Sequence, residues 1–163
     1  MSRPFCVETT IDQPFDAIAT AITHDPASAF ANTVWVDQRV AMVPLDVAVG
    51  PLDVERYVVL EVGDPYARGT HELVVPLRWR AAHHAGRYPT AEAVLEVLAL
   101  SNHPPRTQIS IVGTYEVPLG WLGQAADRVA GERIVATSVG QLVDEVARRL
   151  EAATEGAGLR PAT

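Results

Sequence analysis

The sequence predicts an α+β domain: a curved antiparallel sheet of six to seven strands around one long C-terminal helix, with two short helices after the first strand. Three observations carry this reading. Strand-like runs follow one another from Arg39 to Glu116 across gaps shorter than the dozen or more residues a parallel crossover needs. A helical pattern of about thirty residues then runs almost to the C-terminus. Between the two, the run Thr107 to Glu116 meets the helix through Pro118-Leu119-Gly120.

Phe5 to Ile11 alternates as a first strand. Asp12-Gln13-Pro14 opens a short helix over Phe15 to Ile22, with proline near the first position, where its missing N–H leaves nothing unpaired. Asp25-Pro26 repeats the signal for a second short helix through Phe30. Val34 to Val36 is a candidate short strand, followed by Val40 to Val49, Val54 to Val62, His71 to Ala82, Ala91 to Leu100 and Thr107 to Glu116. Their separators are turn formers: Gly50-Pro51, Gly63-Asp64-Pro65, Ala85-Gly86-Arg87 and Asn102-His103-Pro104-Pro105.

The terminal helix spans about 45 Å at 1.5 Å per residue, and six or seven strands make a sheet about 30 Å wide, so the helix is long enough to cross it. Leu122, Ala126, Val129, Ala136, Val139, Val143, Val146 and Leu150 form its apolar stripe. Gly131 and Gly140 lie within it, each about 1 kcal/mol worse than alanine. A close approach to the sheet or a bend would explain them, as would a break between two helical segments at Gly131. Residues 1–154 read as one domain and Glu155 to Thr163 as a disordered tail.

Composition removes several function classes. Apolar content of 48% with 20% charged residues is that of a globular domain. No run approaches the ~18 apolar residues of a membrane span, and Met-Ser-Arg-Pro-Phe lacks a signal-peptide core, so a cytoplasmic location is expected. The single Cys6 has no internal disulfide partner. A net charge of −7 disfavours nucleic acid as a partner. All 13 cationic residues are arginine, which excludes lysine Schiff-base, pyridoxal-phosphate and Walker-loop chemistry.

The polar motifs have plain structural readings. His83-His84 point apart in an extended chain and have no supporting carboxylate cluster, so no metal is expected there. Glu92 and Glu96 stand about 13 Å apart along a strand, too far for a glycosidase pair. Ser101 and His103 share a proline-rich loop without the strand–serine–helix elbow of a hydrolase. Gly120 and Gly123 open the helix, whose N-terminus could bind an anion, and turn geometry explains them at least as well.

The order of elements resembles the START-like helix-grip superfamily, also called SRPBCC, which includes lipid-transfer domains, plant pathogenesis-related allergens and polyketide cyclases. The segment TQISIVGTYEVPLGWLGQAADRV resembles bacterial members that carry a T-x-L-x-x-x-G-x-Y-x-P-P-L-G-x-x-G run before the helix. Thr107, Gly113, Tyr115, Pro118, Leu119, Gly120, Gly123 and Asp127 occupy that pattern, with Val117 where relatives often have a first proline. Val75 to Ala81 (VPLRWRA) resembles the preceding hairpin strand.

The resemblance implies a cavity between the concave sheet face and the long helix. Alternation then nominates its lining: Arg56, Val58 and Leu60; His71, Val75, Leu77 and Trp79; Leu95 and Val97; Ile109, Ile111 and Tyr115; and Val129 from the helix. Val94 and Leu98 blur the alternation of their strand. The expected function is binding of a small hydrophobic ligand, lipid-, polyketide- or aromatic-like, by a monomer or homodimer, with no cofactor, metal or catalytic residue. Two alternatives stay open. One is an aromatase/cyclase- or dehydratase-like enzyme using Arg56, Tyr115 and His71. The other is an interaction module acting through a strand edge or the Val94/Leu98 surface.

Overall fold

A computed structural model of the chain describes residues 2–30, 34–37, 40–44, 57–81, 90–116 and 125–158. The strands are β1 (Ser2–Ile11), β2 (Val34–Asp37), β3 (Val40–Pro44), β4 (Tyr57–Val62), β5 (Tyr66–Ala67), β6 (Glu72–Ala81), β7 (Thr90–Asn102) and β8 (Pro105–Glu116). They form one antiparallel sheet in the order β1-β8-β7-β6-β4-β3-β2, and the two-residue β5 pairs separately with β6. Helix α1 is Phe15–His24, a single 3-10 turn covers Pro26–Ala29, and α2 is Ala125–Gly158. The expected α+β architecture is therefore present, with the second short helix reduced to that turn.

Local chemistry accounts for the elements. α1 starts behind Pro14, carries Asp16 in its first turn and His24 in its last, each suited to the helix dipole there. Ile18 and Ile22, one turn apart, are wholly buried. Thr107 Oγ1 donates to the Gln13 carbonyl at 2.7 Å and ties the start of α1 to β8. β7 and β8 run farther into their turn than the proline content suggests, pairing up to Asn102 with Pro105.

α2 has 34 residues and passes through Gly131 and Gly140 without interruption, so the first glycine marks no break. A Cβ added at Gly140 would meet nothing within 4 Å, which also removes the expected close approach to the sheet there. Residues 155–158, expected in a disordered tail, belong to this helix. Val139, Val143, Val146 and Leu150 are buried as the stripe predicts, but Ala136 is exposed. Ala136 lies seven residues before Val143, only about 20° away around the helix, so what changes between them is the cover above and not the face. The main contacts of α2 are with β1, α1, β8 and the 3-10 turn.

Several expectations fall outside the described residues: the ends of the third and fourth runs (residues 45–56, including Arg56), His83-His84, the turn from Pro118 to Gly123, and residues 159–163. No helix among the described residues is long and apolar enough to cross a membrane.

A candidate ligand site at the aromatic end of the concave face

Strand pairing arranges the inner face in rows. Ile11–Thr107–Ala99, Thr9–Ile109–Val97–Leu73 and Val7–Ile111–Leu95–Val75 make up one end. Ile109, Ile111, Leu95, Val97 and Val75 have no exposed surface, and they share one core cluster with Ile18 and Ile22 of α1 and Val143, Val146 and Leu150 of α2. This end is filled. Each such aliphatic side chain contributes about 1.5–3 kcal/mol by leaving water.

The other end is built differently. Its rows are Phe5–Gly113–Ala93–Leu77–Val62 and Arg3–Tyr115–Ala91–Trp79–Leu60. The middle of each row carries small residues, Gly113, Ala93 and Ala91, while the flanks carry large rings. A Cβ built on Gly113 would lie 2.5 Å from Ala93 Cβ and 2.7 Å from Ala93 Cα. No side chain fits there, and the strands curl tightly at this point. The Phe5 and Trp79 ring centroids are 5.5 Å apart and those of Phe5 and Tyr115 6.3 Å, spacings typical of favourable aromatic pairs. Tyr115 is buried, but Phe5 and Trp79 are only half-buried although both pack on the core.

The nominated residues therefore separate. Leu60, Val75, Leu77, Leu95, Val97, Ile109, Ile111 and Tyr115 are buried on one face, with Trp79 at its partly open end. His71 is a correction: it is exposed before β6 begins, in a bend, its carbonyl accepting from Ala99 N–H at 2.9 Å. Alternation gives the side of the sheet but not whether anything covers that side. Arg56 lies outside the described residues, and Val58 and Val129 are placed in β4 and α2 without described side chains. Sequence reasoning missed Phe5, Gly113 and Arg3 as site residues. The signal for Arg3 was present, since β1 alternates from Ser2 onward and Arg3 shares the parity of Phe5 and Val7.

The outer face holds the charges. Arg78 pairs with Glu92 at 2.8 Å, Arg80 with Glu61 at 3.7 Å, and Arg68 with Glu72 and Glu96 at 2.8 and 3.1 Å. A hydrogen bond with Tyr66, followed by the carboxylates of Glu72 and Glu96, holds the Arg68 guanidinium above its usual range. Glu92 and Glu96 thus each have a cation beside them on the face expected to be solvated. An open recess of about 740 Å³ crosses this face past Pro76, Arg78, Glu92, Val94 and Val112. Leu98 and Leu100, farther along β7, are exposed, as many surface apolar residues are. Among the described residues no cluster of three or more His, Cys, Asp or Glu is placed to hold a metal ion.

No protein-family model and no curated protein matches the chain. Solved structures do. A conserved protein from Geobacillus kaustophilus aligns with a TM-score of 0.56 at 8% identity, over 96% of this chain and 97% of that one. Ara h 8.0201 aligns with a TM-score of 0.54 at 11% identity, over 93% and 99%. Norcoclaurine synthase from Thalictrum flavum aligns at 0.49 with 10% identity, over 88% and 87%. At these identities the likeness is one of fold: the chain has the START-like helix-grip fold.

Proposed function

We propose that this helix-grip chain binds a small, mostly apolar molecule at the aromatic end of its concave face, between Phe5, Trp79 and Tyr115 and the N-terminal half of α2. One observation carries the reading: two large rings, on strands separated by two others, meet across the face and stay only partly buried beside the fully buried cluster of Leu95, Val97, Ile109 and Ile111. Half-exposed aromatic surface in a concavity is where an apolar ligand gains most from leaving water. The exposed Ala136 agrees with this, because the stripe of α2 is uncovered at that position. The fold supports the reading only by analogy, since a fold hosts many functions.

The catalytic alternative needed Arg56, Tyr115 and His71 to converge, as acid–base groups must. His71 is exposed in the bend before β6, so that constellation is not proposed.

The test combines native mass spectrometry with a panel of fatty acids, aromatic acids and polyketide-like phenols, read by tryptophan fluorescence. A bound species, and a fluorescence response lost in Trp79→Phe, is the expected result. No retained mass and no response from any panel member would overturn the reading.

A further inference from the structure

We infer that the molecule held at the aromatic end carries an acidic group on its apolar body, and that Arg3 selects it; this rests on the binding reading above. Arg3 is two residues before Phe5 on β1 and shares its face. It stands directly opposite Tyr115 in the β1–β8 ladder, in the row that continues through Ala91 to Trp79. Directly opposed Cβ atoms lie about 5 Å apart, so the guanidinium stem starts beside the aromatic group. Among the described sheet residues of this face, Arg3 is the one arginine or carboxylate, and it is half-buried.

A guanidinium that has lost part of its water recovers most by pairing with an anion. Arg3 also interacts within the chain, and a guanidinium offers five N–H donors in all, so one partner does not preclude another. A carboxylate accepts two of them in parallel, a geometry that lysine does not reproduce. The chain as a whole carries a net charge of −7 and repels acids at long range. Any preference for an acid must therefore arise at a local cation, and at this end of the described face that cation is Arg3.

The experiment compares matched ligands by calorimetry: 2-naphthylacetate with 2-naphthaleneethanol, and dodecanoate with 1-dodecanol. In the unaltered chain each acid should bind about tenfold or more tighter than its alcohol, as expected for a hydrogen-bonded charge pair. Arg3→Gln should abolish that preference while leaving the alcohols within about twofold, and Arg3→Lys should keep part of it. Rising salt should narrow the gap. Acids that bind no tighter than alcohols, or an Arg3→Gln loss equal for both, would overturn the role of Arg3 while binding itself stands. If neither body binds in either form, the binding reading falls first and this inference falls with it.

Discussion

Phe5 and Trp79 bring their ring centroids to 5.5 Å although β8 and β7 lie between their strands. On a flat sheet three strand spacings and a two-residue step along the strand separate such residues by about 16 Å. The rings span part of that gap and the curl of the sheet removes the rest. The curl is permitted in the row that Phe5 itself begins, where Gly113 and Ala93 meet.

Gly113→Ala tests that account. Its new Cβ would meet backbone and Cβ atoms of Ala93 well inside van der Waals contact, and backbone cannot step aside as a side-chain tip can. Overpacking of this kind costs about 1–3 kcal/mol. Urea unfolding should show a lower midpoint with an unchanged slope. A midpoint equal to that of the unaltered chain would mean the strands do not curl there.

Gly140→Ala should act in the opposite direction. The position is inside a continuous helix, and an added Cβ meets nothing within 4 Å. Removing glycine from a helix interior gains about 0.5–1 kcal/mol. A raised thermal midpoint is expected; a lowered one would place something against the helix at this turn.

The contrast between the two glycines shows what could be read from the residues alone. Gly140 reads as a close approach or a bend and Gly113 only as part of a motif, yet it is the one on β8 that packs closely, because close approach depends on what lies opposite and not on the glycine. Alternation placed Leu95, Val97, Ile109, Ile111 and Tyr115 correctly, since period two fixes the side of a strand. It could not place Val74 and Ser110, which are buried on the outer face. They share a row with Glu8 and Glu96, whose bonds to Gln108 and Arg68 lie across the sheet surface. Arg3 was missed because Pro4 masked the strand start, although proline is tolerated on an edge strand such as β1. The aromatic group was illegible for a topological reason: Phe5 and Trp79 are far apart in sequence and not paired, so only the curl brings them together.

Thr107→Val removes the hydroxyl that donates to the Gln13 carbonyl at 2.7 Å. Valine has nearly the same shape, so the side chain still fills its wholly buried place on β8. The loss should be about 1 kcal/mol, rising toward 3 if the carbonyl finds no water. Chemical denaturation reads it, and faster amide exchange over α1 should accompany it. Unchanged stability would mean that the start of α1 is not anchored through this bond.

Leu95 and Leu98 sit three residues apart on β7 and on opposite faces, the first with no exposed surface and the second 38% exposed. Leu95→Ala would open a cavity where β7 meets Ile111 and Val75, and large-to-small changes at such sites cost about 2–5 kcal/mol. Leu98→Ala should change stability by no more than about 0.5 kcal/mol, as surface substitutions do. If Leu95→Ala leaves too little folded protein to measure, Ile111→Val removes one methylene from the neighbouring strand at about 0.5–1.5 kcal/mol. Equal effects at positions 95 and 98 would mean that the outer face is as buried as the inner one. A partner would then cover the outer face, and the interaction-module reading would regain its ground. A large loss at 95 with none at 98 keeps the inner face as the place where the fold is held together. The ligand reading needs that closed core, because a binding end can stay half-open only when the rest of the sheet holds without it.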